Sequence, residues 1–144
     1  VPEELVEINP ADAEKLKILI DIGINLSSTL DLNELLDKIT LACLKIIDAE
    51  ASSLLLKKET RDTLYFKIAK GDKAKEVKQF HLKLGEGIAG WVAKTGQPLI
   101  VPDVNKDERF KKEISDIIQF KTRNIMCAPL KINNKPVGVI EVIN

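Results

Sequence analysis

The stretch from Phe80 to Val104 decides the fold, and it reads F-H-L-K-L-G-E-G-I-A-G-W-V-A-K-T-G-Q-P-L-I-V-P-D-V. Its first five residues alternate between apolar and polar, which predicts a strand. Glycines then open a helix predicted over Ile88–Lys94, and two prolines bound a short strand after it. The first turn of a helix carries unpaired N–H groups, so the backbone of Ile88 and Ala89 is a candidate site for an anionic or polar ligand.

On either side of this stretch, apolar spacing predicts further helices and strands. An apolar stripe at helical period predicts a helix over Ala11–Ser28, and Asp31 is the candidate N-cap of a second helix. After Asp48 the period changes to two, and the pair Asn133–Asn134, which tolerates positive φ, predicts a late hairpin. The other elements are expected as strands at Ala51–Lys58, Arg61–Ala69, Leu99–Val101, Asn124–Lys131 and Pro136–Ile143, and as a helix at about Glu108–Phe120.

Strands joined mainly by short hairpins favour a largely antiparallel sheet. We therefore predict an α+β fold with a six-stranded sheet. Two N-terminal helices are expected on one face, and two short connecting helices over a pocket on the other. The charged segment 103–120 is predicted to be a mobile lid on this pocket, and residues 1–10 to be a linker.

The composition narrows the classes of function. A chain of 144 residues with 44% hydrophobic content fits one domain, residues 1–144. Its 22 basic residues balance 22 acidic ones, so neither nucleic acid nor an anionic membrane is an expected partner. No apolar run is long enough to span a membrane, and the N-terminus lacks a signal core, so we expect a cytoplasmic protein. The chain begins without Met and stops within a predicted strand, so we expect a fragment of a longer protein.

Several motifs permit more than one interpretation. The spacing Gly85-x-Gly87-x-x-Gly90 matches a dinucleotide-binding fingerprint, but the flanking hairpins favour glycines that allow tight turns or a polar-ligand site instead. Asp103-x-Asn105-x-Asp107 resembles the start of a calcium loop, yet the loop's glycine and final glutamate are missing. Asn105 and Asp107 are expected to initiate turns and to cap the next helix. We predict no metal and no cofactor.

Two polar residues interrupt apolar strands. Ser53 precedes three leucines, and Glu141 lies within V-G-V-I-E-V-I. On period two Glu141 shares a face with Val137, Val139 and Ile143. If that face is covered, its carboxylate needs a partner from the protein or from a ligand; an exposed edge position is the alternative.

The glycine-rich stretch, together with P-D-V and the later F-K-T-R-N-I-M-C-A-P-L of Phe120–Leu130, resembles the GAF family of small-molecule sensory domains. The resemblance covers Leu16 to Asn144. It implies a GAF-like, PAS-related fold, a small-molecule ligand such as a cyclic nucleotide or another anionic metabolite, pairing into a homodimer, and an output domain in the same polypeptide.

The resemblance also implies site residues. In cyclic-nucleotide-binding relatives the ligand contacts correspond to Ser53, Ile88, Ala89, Thr122 and Glu141 of this sequence. The chain departs from those relatives at four positions, where it has Ala69, Lys70, Ser115 and Ile118.

No catalytic set is found, so we expect a regulatory domain without catalysis of its own. A reductase of free methionine sulfoxide, which uses the same fold, needs several cysteines around the pocket, and only Cys127 is predicted near it; Cys43 lies in a helix. The alternative is a ligand-free dimerisation module of a transcription regulator or sensor kinase. The helix over Ala11–Ser28 is the predicted dimer contact, since its stripe is long for a helix that only covers a sheet.

Overall fold

The computed structural model describes residues 9–27 and 31–144. Most of the predicted linker 1–10, and Ser28 at the end of the first predicted helix, lie outside the described residues. The helices are α1 (Pro10–Ser27), α2 (Leu32–Ile47), α3 (Ala74–Val77), α4 (Gly87–Thr95) and α5 (Lys112–Ile118). The strands are β1 (Ala51–Lys57), β2 (Thr63–Lys70), β3 (His81–Lys83), β4 (Leu99–Val101), β5 (Ile125–Ile132) and β6 (Lys135–Ile143).

The six strands form one sheet in the order β3-β2-β1-β6-β5-β4, and every neighbouring pair is antiparallel. The predicted α+β fold with a six-stranded, largely antiparallel sheet is confirmed. Asn133 and Asn134 have φ angles of 50° and 65°, as the tight turn between β5 and β6 requires. The first and last strands of the chain, β1 and β6, pair with each other at the centre of the sheet.

Helices cover both faces of the sheet. On one face α2 contacts β1, β2 and β6, and α1 packs along α2. The predicted N-cap of α2 is present, since the Asp31 carboxylate accepts a hydrogen bond of 2.9 Å from the Glu34 N–H. On the other face α4 contacts β3, β5 and β6, while α3 contacts β2 and α5. Within the described residues, no helix has both the length and the apolar character needed to cross a membrane.

The core lies between α4 and the sheet, and alternate residues of each strand point into it. Leu55, Val139 and Cys127 are 0 to 1% exposed and belong to one apolar cluster with Ile88 and Val92 of α4. Because β1 also buries Ser52 and Leu54 on the opposite face, it is covered on both sides, as its sequence predicts.

Gly90 lets α4 approach the sheet closely. A Cβ atom at this position would lie 2.6 Å from the Lys83 carbonyl oxygen, so no other residue fits without a shift. The preceding Gly85 and Gly87 have φ angles of 85° and 69°, which L side chains rarely adopt. The glycine motif therefore forms a tight strand-to-helix turn, not the βαβ unit of a dinucleotide fold.

The segment between β4 and β5 differs from the prediction. The helix expected over Glu108–Phe120 is confined to α5, because Asp107 holds the residues before it in a turn: its carboxylate accepts a hydrogen bond of 2.9 Å from the Arg109 N–H. Asp107 therefore does not cap α5, whose N-cap position is Lys111. Helix α3 was not predicted, since a single charged turn shows no apolar period.

Candidate functional site

A small cavity lies between α4, the sheet and the segment 103–120, which we call the lid. Its volume is about 90 Å³. The described residues that line it are mostly apolar, and Lys111 and Glu141 among them are charged. The principal lining residues are Phe66, Ile88, Ala89, Phe110, Lys111, Ile114, Ser115, Ile118, Phe120, Thr122 and Glu141.

Glu141 is a buried carboxylate without a protein partner. It is 8% exposed and lies on β6, directly between Ser53 of β1 and Cys127 of β5 in the strand register. No hydrogen bond or ion pair from residues 9–27 or 31–144 reaches its carboxylate. Burial raises the pKa of Glu141 from 4.5 to about 7, because the charged form loses its hydration. A buried, unpaired carboxylate that faces a cavity is positioned to accept hydrogen bonds from a ligand.

Ser53 lies next to Glu141 but does not line the cavity. It is 5% exposed, and its side chain shares the Glu141 face of the sheet, because directly paired residues point the same way. The structure thus brings Ser53 beside the cavity-lining carboxylate rather than into the cavity itself.

Ile88 and Ala89 line the cavity from the first turn of α4. None of the described residues accepts a hydrogen bond from the backbone N–H of either one. The first intrahelical partner of this end is the Glu86 carbonyl, which accepts from the Gly90 N–H at 3.1 Å. Two free donors and the positive end of the helix dipole therefore lie at the cavity.

Thr122 and Ser115 line the cavity from the lid side. Their hydroxyl oxygens are 2.8 Å apart and share one hydrogen bond. Each hydroxyl can form a second hydrogen bond. The pair therefore presents polar atoms to the cavity although each hydroxyl already has a protein partner.

Two side chains hold the lid against α4. The Arg109 guanidinium lies 4.5 Å from the centre of the Trp91 ring, and two of its nitrogens contact the Asp107 carboxylate at 2.9 and 2.6 Å. The pKa of Asp107 is lowered, and the largest cause is the side-chain hydrogen bond from Arg109. Lys111 Nζ contacts Glu86 Oε1 at 3.4 Å. The lid thus contacts α4 at two places: at Glu86, its N-cap position, and at Trp91, just after its first turn.

Asn144 connects the exit of the lid to the start of the sheet. Its side-chain oxygen accepts a 2.8 Å bond from the Arg123 N–H, and its amide nitrogen donates to the Lys121 carbonyl at 2.9 Å and to Glu50 at 3.0 Å. Arg123 also contacts Glu50 at 2.6 Å, which together with the Asn144 bond lowers the pKa of Glu50. The segment that contains Thr122 is therefore bonded to the turn between α2 and β1.

The cysteines do not form a redox pair. Cys127 is 1% exposed, and its pKa is raised by burial and then by the neighbouring Glu141. Cys43 belongs to α2, on the other face of the sheet, and burial raises its pKa too. The thiolate is the reactive form, so both thiols are poor nucleophiles in this fold.

Sequence reasoning missed the apolar part of the lining and the contacts that hold the lid. Phe110, Ile114 and Ile118 recur at a spacing of four, a helical stripe that could have indicated an inward-facing lid. The Arg109–Trp91 contact joins segments far apart in sequence, and no local pattern indicates it. Across the described part of the chain, no cluster of three His, Cys, Asp or Glu residues has the geometry to hold a metal ion.

Comparison with known proteins gives the family. The model of the family described as GAF domain matches residues 31–144. The chain is 29% identical over 109 residues to a probable 3',5'-cyclic phosphodiesterase, pde-5, of Caenorhabditis elegans. The aligned region covers 69% of this chain and 15% of that protein. It is 28% identical over 137 residues to a dual 3',5'-cyclic-AMP and -GMP phosphodiesterase 11A of Takifugu rubripes, covering 89% and 15%. The chain therefore spans about 15% of the length of these two relatives.

Solved structures agree in fold. The GAF domain of a phosphoenolpyruvate-protein phosphotransferase from Coxiella burnetii superposes with a TM-score of 0.82 at 20% identity, covering 94% of this chain and 80% of that one. A free methionine-R-sulfoxide reductase from Neisseria meningitidis, in complex with its substrate, gives 0.78 at 17% identity, covering 96% and 77%. The same architecture thus occurs in a domain of a phosphotransferase and in a methionine sulfoxide reductase. With the family match over most of its length and this sheet and helix arrangement, the chain belongs to the GAF domain family.

Proposed function

We propose that this chain is the ligand-sensing domain of a larger cytoplasmic signalling protein and has no catalysis of its own. It binds a small polar or anionic metabolite or nucleotide in the cavity under the lid. The observation that carries the proposal is the Glu141 carboxylate, buried at the cavity without a partner in the described residues. Burying a carboxylate without a partner costs free energy, and a ligand that donates hydrogen bonds to it would offset that cost.

The proposed site consists of Glu141 with its neighbour Ser53, the N–H groups of Ile88 and Ala89, and Thr122. The carboxylate accepts hydrogen bonds from one end of the ligand, and the helix terminus donates to the other. The lid, 103–120, moves to admit the ligand. The cyclic-nucleotide phosphodiesterases among the relatives support this class of function, and the two unreactive cysteines support a domain that binds without reacting.

The test is binding by the purified domain. Native mass spectrometry identifies any compound that copurifies, and calorimetry with that compound, or with cyclic AMP and cyclic GMP, measures its affinity. Glu141→Ala is expected to lose about 1–3 kcal/mol of binding with an unchanged circular dichroism spectrum. Glu59→Ala, an exposed turn position, serves as the matched control. Affinity unchanged by Glu141→Ala would refute the proposed site.

The signal is proposed to leave through paired α1 helices of a homodimer. Leu16, Leu19, Ile20 and Ile24 follow helical spacing on α1 and are 45 to 64% exposed, which favours a second copy as the covering partner. Ile20→Asp is expected to give monomers in sedimentation at high micromolar concentration, whereas Glu14→Lys, an exposed position of α1 away from this stripe, leaves the dimer intact. A wild-type domain that stays monomeric would contradict this part of the proposal.

The second candidate is a ligand-free dimerisation module. The small volume of the cavity favours it, since ligand pockets commonly reach ~300 Å³ or more. If no compound copurifies and no metabolite binds, while the α1 dimer persists, this candidate replaces the first.

A further inference from the structure

The charges, size and lining of the cavity indicate the chemical class of its ligand. Resting on the proposed function, we propose that the ligand is a compact zwitterion, an α-amino acid with an apolar side chain. Its ammonium group binds the Glu141 carboxylate, and its carboxylate accepts hydrogen bonds from the N–H groups of Ile88 and Ala89. Its side chain occupies the apolar part of the cavity under the lid.

The charge at the sheet side of the cavity favours a ligand cation. Glu141 is 92% buried, and its register neighbours Ser53 and Cys127 carry no positive charge. Among the described residues that line the cavity, the basic one is Lys111, and it contacts Glu86 at 3.4 Å on the lid side. A ligand with only negative charge would face the Glu141 carboxylate without compensation, whereas an ammonium group neutralises it and donates up to three hydrogen bonds.

The α4 wall of the same cavity favours an anion. The two N–H groups of α4 have no acceptor in the described residues, and α4 is nine residues long, enough for a dipole. A carboxylate accepts from two adjacent N–H groups through its two oxygens. The sheet wall and the α4 wall of one small cavity thus favour opposite charges, and a single molecule that carries both charges on adjacent groups meets both requirements.

The size and lining of the cavity set the rest of the molecule. A volume of about 90 Å³ is well below the ~300–1,000 Å³ of drug-sized pockets, so a ligand as large as a cyclic nucleotide would have to displace the lid. Phe66, Phe110 and Phe120, with Ile114 and Ile118, are among the apolar residues of the lining, beside the paired hydroxyls of Ser115 and Thr122. These apolar side chains favour an apolar substituent on the ligand.

The experiment titrates the domain with valine, leucine, isoleucine, methionine and phenylalanine, and with cyclic AMP and cyclic GMP, by calorimetry and by NMR. The best amino acid is then compared with its N-acetyl derivative, which lacks the ammonium charge, and its amide, which lacks the carboxylate. We expect one of the five to bind and each derivative to bind about tenfold or more weakly. Glu141→Gln should reduce amino-acid binding by about tenfold or more, and Glu59→Gln should not.

The outcomes separate this inference from the proposed function. Binding of a cyclic nucleotide or another metabolite, abolished by Glu141→Gln, with no binding of the five amino acids at millimolar concentration, overturns the zwitterion and leaves the sensor standing. An N-acetyl derivative that binds as tightly as the free amino acid overturns it too. If a library of common metabolites, the amino acids included, gives no binding at all, both fail. Circular dichroism of Glu141→Gln confirms that the variant is folded.

Discussion

Replacing Glu141 by Gln is expected to stabilise the ligand-free domain above neutral pH and to have a much smaller effect in mild acid. The physical reason is the buried carboxylate, whose pKa rises from 4.5 to about 7 on folding. Each unit of pKa corresponds to about 1.4 kcal/mol, so keeping this group ionised in the fold costs about 3 kcal/mol. Glutamine has nearly the same shape and cannot ionise, so the variant avoids this cost.

The sign follows from proton binding. Between pH 4.5 and about 7 the folded state holds a proton on Glu141 that the unfolded state has released. The free energy of unfolding of the wild type therefore falls as pH rises through this window and becomes flat with respect to Glu141 above it. The other titratable groups are the same in both proteins, and Cys127, the register neighbour whose pKa burial and Glu141 raise, is neutral in the fold of either one across this pH range.

Urea denaturation followed by circular dichroism at pH 5, 6, 7 and 8 measures the effect. The difference between Glu141→Gln and the wild type should be about 1 kcal/mol or less at pH 5 and should grow to about 3 kcal/mol by pH 8. Glu59→Gln, in the exposed turn between β1 and β2, should show no such growth. Parallel curves for the wild type and Glu141→Gln would refute the reasoning, because they would mean that the carboxylate is hydrated or paired in solution.

Three further predictions concern packing, the lid and the thiols. Gly90→Ala should destabilise the domain by about 1–3 kcal/mol in urea, because its Cβ meets backbone, whereas Gly23→Ala, with open space around it, should gain about 0.5–1 kcal/mol. Arg109→Gln removes the ring contact, so amide hydrogens of the lid should exchange about two- to fivefold faster, and unchanged exchange would show that this contact does not hold it. Cys127 should resist iodoacetamide at pH 8 until urea is added, as mass spectrometry of the alkylated protein can check.

Local signals predicted most of the secondary structure. The Asp31 cap, the Asn133–Asn134 turn and the left-handed Gly96 that ends α4 each depend on residues within a few positions of one another. Alternation located the strands within a residue or two, since a residue's face in a strand follows from its neighbours. These features need no knowledge of the rest of the fold.

Other features depend on contacts between distant segments and could not be predicted in this way. The sequence marked Glu141 as unusual, but only the sheet register shows it between Ser53 and Cys127 and buried at a cavity. The start of α5 was misjudged because the turn at Asp107 competes with the helix through a side-chain bond to Arg109. The assignment of the five candidate ligand residues stays a prediction.

The order of strands in the sheet has a consequence for how the chain folds. β1, β2 and β3 form one antiparallel group, β4, β5 and β6 form another, and the two groups join only where Ala51 to Leu56 pairs with Gly138 to Ile143. This junction closes a loop of most of the chain, so its entropic cost is high and we expect it to form late and to limit the refolding rate. Because Glu141 lies within this junction, a ligand bound to its carboxylate would slow unfolding, a kinetic protection that stopped-flow measurements with and without ligand would reveal.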